Sequence, residues 1–183
     1  YLLRWHLDWY VAHPTQRARK EVYQGRGGQW FLTVAEKKRI LLDNIYGVDI
    51  DPQAVEVTKL SLLLKVLEGE SQETLQPELL PERALPDLAS NIKCGNSLIG
   101  TDFYEQATML TEDEAHRINP FDWESEFPEI MGRGGFDAVI GNPPYRRELD
   151  YKSLMDQVAT TAFGKRYRSA RMDLWYYFVH RGL

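Results

Sequence analysis

The feature that most constrains the fold of this 183-residue chain is a short apolar segment, residues 45–50, that leads directly into a helix. The segment is rich in β-branched residues, which favours a buried strand. Asp51 and Pro52 follow at once and are typical of a helix N-cap and a first helical position. The helix is predicted to run to about Leu67, with Gly69 ending it. A strand followed directly by a long helix is the basic unit of a parallel α/β sheet.

Other apolar segments continue the alternation of strands and helices. A second strand is predicted over 91–98 and a third over 136–140, with further helices over 2–12, 34–43, 105–116 and 172–183. The helix after the first strand carries apolar residues at core-like spacing: Ala54, Val55, Leu60, Leu63, Leu64 and Leu67. Residues 24–29, 71–90 and 146–170 are predicted to be loops or irregular. The pattern predicts a mainly parallel sheet, in which ligands bind beyond the carboxyl ends of the strands.

The sequence offers only weak candidates for a metal site. Thr33 and Glu36 have the spacing of a capping box at the start of the helix predicted over 34–43. The run Glu36-Lys37-Lys38 also has the E-x-K order of some nuclease sites, but it lies on a charged helix face. The four histidines lack ligand spacing, and the single cysteine, Cys94, is predicted to be buried in the second strand. The sequence therefore predicts no metal site.

Charge is distributed unevenly along the chain. Residues 142–183 carry eight Lys or Arg and four Asp or Glu, whereas residues 1–141 carry 14 basic and 23 acidic residues. A basic segment next to an acidic remainder is typical of a protein that binds a polyanion through one part of its surface. The alternative is that residues 142–183 form a solvent-exposed loop whose arginines bind nothing. No apolar run approaches the roughly 18 residues that span a bilayer. We therefore expect a cytoplasmic protein that does not bind membranes.

Asp49 is a candidate ribose ligand. It stands at the end of the first predicted strand, and its two carboxylate oxygens match two adjacent hydroxyl donors. Strand-end acids often only cap the following helix, but Asp51 is predicted to take that role here. The local pattern therefore favours a nucleoside ligand at Asp49.

The tetrapeptide Asn142-Pro143-Pro144-Tyr145 follows the third predicted strand. Consecutive prolines fix the backbone and leave carbonyl groups without neighbouring N–H donors, so the turn is a rigid acceptor surface. The Asn142 side-chain oxygen and the Pro143 carbonyl could together accept hydrogen bonds from both protons of an exocyclic amine. Such bonds would make the amine nitrogen more nucleophilic. The Tyr145 ring offers a face on which a base can stack. A plain Pro-Pro turn with a packed tyrosine is the alternative.

Five segments together resemble a known family. They are FDAVIGNPPY at 136–145, NIYGVDIDPQAVEVTKLSLLL at 44–64, NIKCGNSLIG at 91–100, INPFDWESEFPEI at 118–130 and the carboxyl-terminal ARMDLWYYFVHRGL. They resemble N6-adenine DNA methyltransferases, and in particular the methylase module of type IIG restriction-modification enzymes. The resemblance covers essentially the whole chain. It implies a Rossmann-like, S-adenosylmethionine-dependent methyltransferase fold.

The resemblance also implies a role for each candidate residue. Asp49 would bind the ribose of S-adenosylmethionine, Ile50 would pack on its adenine, and Asn96 with Ser97 would contact the adenine edge. Asn142, Pro143, Pro144 and Tyr145 would form the catalytic turn that holds an adenine flipped out of double-stranded DNA, with Asn142 also next to the cofactor. Phosphate contacts are expected from Arg146, Arg147, Lys165, Arg166 and Arg168. No metal and no covalent enzyme intermediate are implied.

The same resemblance divides the chain into parts. Residues 1–43 would be the helices after a missing first strand, 44–100 the cofactor side, 101–135 an insertion, and 136–183 the catalytic strand, turn, basic loop and helix. The family's glycine-rich D-P-x-C-G-S-G loop is absent and is expected before Tyr1. Target-recognition and endonuclease domains would lie elsewhere in a parent chain. We therefore expect this chain alone to be unstable and inactive.

Two other functions remain open at this stage. One is methylation of a protein glutamine or of an RNA base, since related motifs serve both. The other is a non-catalytic methylase remnant that acts as a DNA-binding scaffold. The Asn-Pro-Phe-Asp-Trp sequence at 119–123 favours methylation of DNA over that of RNA or protein. The complete Asn-Pro-Pro-Tyr sequence at 142–145 argues against a non-catalytic scaffold.

Overall fold

The computed structural model describes residues 1–15, 18–69, 87–106, 117–143, 152–170 and 172–182. The chain divides into two compact units, one of Tyr1–Gly47 with Pro52–Lys93 and the other of Val48–Asp51 with Cys94–Leu183. Both helices and strands occur, in agreement with the predicted α/β class. Predictions over 71–86, 107–116 and 144–151 lie outside the described residues.

The first unit contains four helices and a hairpin among the residues described. They are α1 (Leu2–Ala12), α2 (Ala18–Glu21), β1 (Val22–Gln24), β2 (Trp30–Leu32), α3 (Val34–Asn44) and α4 (Pro52–Leu67). β1 and β2 are antiparallel with Val22 opposite Leu32, and both side chains pack with Tyr10 and Ile40 in a small core. The predicted loop at 24–29 is the turn of this hairpin, which the sequence analysis missed. Gly27 has a positive φ of 99° at the turn.

The capping box at α3 is only half formed. The Thr33 hydroxyl accepts the predicted hydrogen bond from the Glu36 N–H at 3.2 Å. The Glu36 carboxylate does not return the bond, because it is buried and accepts hydrogen bonds from Tyr10 and Arg39 instead. The Thr33 N–H donates to the carbonyl of Glu21 at 2.9 Å. Glu36 is therefore a structural residue rather than part of an E-x-K metal site.

The bounds of α4 agree with the sequence prediction, but its buried face does not. The helix starts at Pro52, and Gly69 has the positive φ of 85° that suits a helix end. Val55 and Val66 are buried, whereas Leu60 and Leu64 are 57% and 59% exposed. The inward face is the one that packs against Leu42, Ile45, Leu88 and Ile92. The spacing of the apolar residues predicted that α4 has a buried face, but it did not show which side of the helix that face would be.

A second sheet joins β3 (Gly47–Asp49) to β4 (Ile92–Cys94). The Gly47 N–H donates to the Asn91 carbonyl, and the Gly95 N–H donates to the Asp49 carbonyl, both at 2.9 Å. The sequence offset between the bonded residues is nearly constant, as in a parallel pair. β3 and β4 confirm the first two predicted strands in shortened form, with their carboxyl ends at one edge.

The second unit contains mostly short helices. They are α5 (Asp102–Gln106), α6 (Trp123–Glu126), α7 (Pro128–Met131), α8 (Lys152–Thr160), α9 (Ala162–Tyr167) and α10 (Leu174–Gly182). Its core gathers residues from α5, α8, α10 and the segments outside the named helices: Leu98, Ile99, Phe103, Ile118, Met155, Val158, Met172, Leu174 and Tyr177. α8 and α9 correct the predicted irregular segment 146–170, because Met155 and Val158 form a buried helical face there. α10 confirms the predicted aromatic-rich helix.

The third predicted strand is wrong for the described structure. Residues 136–140 are not in a strand, and Val139 and Ile140 are 61% and 97% exposed. A strand exists only when a neighbour supplies ladder hydrogen bonds, and no described strand pairs with this segment.

Among the helices that the structure describes, none has both the length and the apolar composition of a membrane span.

Candidate functional site

The carboxyl ends of β3 and β4 bring the first candidate residues together. The bond from Gly95 to Asp49 places Asp49 and Ile50 beside the segment 94–97. The Asp49 side chain is exposed, and its Oδ1 accepts the Asp51 N–H at 2.9 Å. Oδ2 has no hydrogen-bond partner among the described residues. The carboxylate is therefore fixed by the backbone yet keeps acceptor capacity for a ligand with adjacent hydroxyls.

An apolar surface lies next to this carboxylate. The Ile50 side chain is 52% exposed, which is unusual for a β-branched residue at a strand end. Its carbonyl accepts a hydrogen bond from the Cys94 thiol at 3.6 Å. Cys94 itself is exposed, so the prediction that it is buried is wrong. On β4 it is Ile92 that is buried, packed with Val55 and Leu88, whereas Cys94 at the end of the strand lies outside that core.

Asn96 is buried and largely engaged. Its N–H donates to the Asn119 carbonyl at 2.7 Å, and its side-chain Oδ1 accepts the Leu98 N–H at 3.1 Å. The second bond closes an Asx-type turn that shapes the exit from β4. An amide oxygen has two acceptor lone pairs, so one is left, and the Nδ2 group has no hydrogen bond within the described part of the chain. Asn96 can therefore both accept from and donate to a flat heterocycle.

Ser97 is held through its backbone. The Trp123 Nε1–H donates to the Ser97 carbonyl at 3.1 Å. Trp123 belongs to an aromatic cluster with Phe121, Phe127 and Phe136, whose ring centroids lie 5.1–5.9 Å apart. The cluster makes a rigid support under the loop that follows β4. Residues 118–130 entered the sequence predictions only through their resemblance to the family, and no local pattern indicated that Trp123 supports Ser97.

The turn at 142–145, which the resemblance makes catalytic, is only partly described. Asn142 is exposed and Pro143 is half-buried, while Pro144, Tyr145, Arg146 and Arg147 lie outside the described residues. No hydrogen bond among the described residues links Asn142 to Asp49 or Asn96. The structure thus brings together Asp49, Ile50, Asn96 and Ser97, and it does not join Asn142 to them.

The basic residues near the carboxyl terminus have different surroundings. Lys165, Arg166 and Arg168 are exposed on or just after α9, and the Arg166 guanidinium lies 5.3 Å from the Tyr167 ring centroid. Arg181 instead packs over the Phe163 ring at 4.9 Å.

Burial lowers the pKa of Arg181, and the nearby carboxylates of Asp102, Asp122 and Glu124 oppose that shift. The basic excess of this region is therefore not all available to a polyanion. In the described ranges, no three His, Cys, Asp or Glu side chains gather as a metal site requires.

Comparison with known proteins identifies similar sequences over most of the chain. A family model described as Eco57I restriction-modification methylase matches residues 43–183. The chain is 29% identical over 179 residues to the type II restriction enzyme and methyltransferase RM.Eco57I of Escherichia coli, covering 97% of the chain and 16% of that protein. It is 48% identical over 65 residues to the putative type II restriction enzyme and methyltransferase RM.MjaORFECS2P of Methanocaldococcus jannaschii, covering 36% of the chain and 5% of that protein.

A third relative is the adenine-specific methyltransferase PglX of Streptomyces coelicolor. It is 30% identical over 118 residues, which is 61% of the chain and 9% of that protein. The chain therefore spans less than a fifth of each of these three relatives. No solved structure matches it.

Proposed function

Because the chain belongs to the Eco57I restriction-modification methylase family, we propose that it carries the catalytic centre of a DNA adenine-N6 methyltransferase. In this reaction the exocyclic nitrogen of an adenine flipped out of double-stranded DNA would take the methyl group of S-adenosylmethionine, with S-adenosylhomocysteine as the leaving group and one amine proton released. The observation that carries the proposal is the backbone bond between Gly95 and Asp49, which holds Asp49 and the loop with Asn96 at one sheet edge. Ligands of open parallel sheets bind at that edge.

The residues at the sheet edge fit the cofactor in their donor and acceptor chemistry. The open Oδ2 of Asp49 suits the two ribose hydroxyls, and the exposed Ile50 side chain suits the face of an adenine ring. The remaining amide groups of Asn96, with Ser97 beside it, suit the adenine edge. When bound, S-adenosylmethionine supplies an electrophilic methyl group. The fold proposed for this arrangement is the Rossmann-like methyltransferase fold.

The acceptor side of the reaction is proposed for the Asn142–Tyr145 turn. Asn142 Oδ1 and the Pro143 carbonyl would each accept a hydrogen bond from one N–H of the adenine amino group. Such acceptors oppose delocalisation of the nitrogen lone pair into the ring, so the nitrogen becomes a better nucleophile. Pro144 keeps the turn rigid, and Tyr145 would stack on the flipped base. Catalysis then comes from positioning and from fixed acceptor dipoles.

DNA contacts are proposed for the basic residues on either side of α8. The set is Arg146, Arg147, Lys165, Arg166 and Arg168. Lysine and arginine side chains neutralise backbone phosphates without reading the base sequence, which makes binding salt-dependent. In this proposal residues 44–100 serve the cofactor, 136–183 serve the target base and the DNA, and 1–43 and 101–135 support them.

Tritium transfer with the intact protein tests the function. The protein is incubated with S-adenosylmethionine labelled in the methyl group and, separately, with unmethylated DNA, RNA or a glutamine-bearing release-factor-like protein. We expect label in DNA and N6-methyladenine in its nucleoside digest. Label confined to RNA or protein would overturn the DNA assignment, and DNA binding without any transfer would favour a remnant.

A further inference from the structure

Asn119 has an unusual backbone conformation. Its φ is +46°, and among the described residues it alone is a non-glycine residue with positive φ. L-residues avoid this region, although asparagine tolerates it better than most. The next residue is Pro120, and a residue before proline normally favours an extended backbone. Conformations of this kind persist only where the surroundings hold them, and they cluster at functional sites.

The conformation lets Asn119 contact the end of β4 with two groups. Its carbonyl accepts the 2.7 Å hydrogen bond from the Asn96 N–H, and Pro120 forms a parallel bridge with Asn96. Its side-chain Nδ2 donates to the Cys94 sulfur at 3.4 Å. The residue therefore holds both the last residue of β4 and the candidate cofactor ligand that follows.

The neighbouring residues extend the same contact, and we name residues 119–123 the clasp. The Phe121 side chain packs so closely on Gly95 that an added Cβ would lie 2.5 Å from its ring. The Phe121 N–H donates to the Ile99 carbonyl at 2.8 Å. With the bond from Trp123 to Ser97, the clasp contacts every residue from 94 to 97.

We propose that Asn119 is a positioning residue for the cofactor. Its left-handed backbone sets the direction of its carbonyl, and that carbonyl fixes Asn96 where its amide faces the adenine edge. The proposal rests on the proposed function, because it assigns Asn119 an effect on binding of S-adenosylmethionine through Asn96. Asn119 itself need not touch the ligand. A residue with a purely general structural role would alter stability and DNA binding alike.

Substitutions at Asn119 separate backbone from side-chain effects in the intact protein. Asn119→Gly keeps the left-handed conformation without strain, whereas Asn119→Ala disfavours it. We expect Asn119→Ala to weaken S-adenosylmethionine binding about tenfold, and Asn119→Gly to stay within about twofold of wild type. Calorimetric titration with S-adenosylmethionine measures both.

The kinetic and DNA-binding measurements exclude a global defect. For Asn119→Ala, KM for S-adenosylmethionine should rise while kcat at saturation and the Kd for DNA stay near wild type. The matched control is Asn44→Ala, which also removes a hydrogen bond donated by an asparagine side chain, in this case to the Ile40 carbonyl in the other unit. It should leave cofactor affinity unchanged.

A second variant keeps the test decisive if Asn119→Ala does not fold. Asn119→Ser resembles asparagine more than glycine does, yet it adopts the left-handed region less readily, so it should bind S-adenosylmethionine more weakly than Asn119→Gly. Equal affinities in all variants, or the reverse order, would overturn the positioning role. If wild type itself fails to bind S-adenosylmethionine, the proposed function fails instead, and the two failures are distinguishable.

Discussion

The hydroxyl of Tyr10 donates a 2.6 Å hydrogen bond to the carboxylate of Glu36, so a residue of α1 satisfies a buried acid of α3. Glu36 is 1% exposed, and Arg39 adds bonds of 2.8 and 2.6 Å to its two oxygens. Burial by itself would raise the pKa of Glu36. The hydrogen bonds from Arg39 and Tyr10 outweigh burial and lower that pKa to about 2.

This pairing predicts a loss of local stability in acid. The pKa of Glu36 is lower in the folded state than its ordinary value of 4.5, so its contribution is complete above about pH 4.5 and is lost as the pH falls towards 2. Glu36→Gln should lower the opening free energy of α3 at pH 7 by about 2 kcal/mol. Amide hydrogen exchange of α3 in the intact protein, corrected for intrinsic rates, measures both effects.

The matched control is Asp43→Asn. Asp43 also binds Arg39, but its side chain is 56% exposed, so the change should be nearly silent. Equal losses in the two variants would show that burial of Glu36 is not the source of the effect.

Asp49→Asn should weaken cofactor binding. A carboxylate that accepts hydroxyl donors contributes about 1.5–3 kcal/mol through charge-assisted bonds, so the Kd for S-adenosylmethionine should rise on the order of tenfold to a hundredfold. Asp51→Asn removes an acid two positions away and should have little effect, since asparagine is an equally good helix cap. Comparable losses in both variants would mean that general charge, and not the Asp49 carboxylate, controls affinity.

Gly95→Ala should disturb the clasp, and a second change should repair it. The new Cβ would lie 2.5 Å from the Phe121 ring, and overpacking of this kind costs about 1–3 kcal/mol. Thermal unfolding and cofactor affinity of the intact protein should both suffer. In the double variant Gly95→Ala with Phe121→Leu, the losses of stability and of cofactor affinity should each be smaller than the sum of the free-energy losses in the two single variants. Strict additivity of the two changes would contradict the packing described.

Asn142→Ala should abolish methylation and leave DNA binding largely intact. Removal of one catalytic acceptor or donor of this kind commonly costs about 10²–10³ in kcat. Single-turnover transfer with labelled cofactor measures the rate, and fluorescence anisotropy measures the Kd for DNA. Asp137→Asn, also exposed and five positions earlier, serves as the control. Methylation that survives Asn142→Ala would disprove the amine-holding role.

The isolated 183-residue chain should melt without a sharp transition. Both described sheets have two strands, and such sheets are marginal in water. Val139, Ile140, Leu60 and Leu64 are all more than half exposed, which favours aggregation. Circular dichroism should show a broad melt, accompanied by binding of a hydrophobic dye. A cooperative melt without dye binding would contradict this expectation.

The elements whose ends are marked by particular residues were predicted correctly from the sequence. α4 was predicted correctly because Pro52 and Gly69 are physical boundaries. β3 was predicted because the apolar, β-branched segment 45–50 stops where Asp51 and Pro52 begin the next helix. α8 was missed because the basic composition of 146–170 suggested a loop. Its buried face rests on Met155 and Val158 at helical spacing, a signal that was available.

Pairing partners were harder to predict. Residues 136–140 have the composition of a strand, yet strand formation depends on a neighbour that a local pattern does not contain. The hairpin at 22–32 shows the opposite error, because a glycine-rich turn between Val22 and Leu32 is a hairpin signal that was read only as a loop.

That Asp49 and Asn96 follow neighbouring strands was predictable from the sequence, but the contacts that hold Asn96 in place were not. Asp49 and Asn96 follow short strands, and position in the pattern was enough to select them. Asn119 lies 23 positions after Asn96 in the sequence, and nothing local indicates that its carbonyl turns towards that residue. The one local indication of its unusual backbone was the sequence Asn119-Pro120, because asparagine tolerates the left-handed region better than most residues.

The exposed thiol at the end of β4 also provides a spectroscopic reporter. Cys94 is the one cysteine in this sequence, and it contacts both Ile50 and Asn119 through its sulfur. A thiol-reactive fluorophore would therefore attach to this chain at a single position, next to the proposed nucleoside pocket. Its emission would report ligand arrival at that edge in real time, without radioactivity and without any need for turnover.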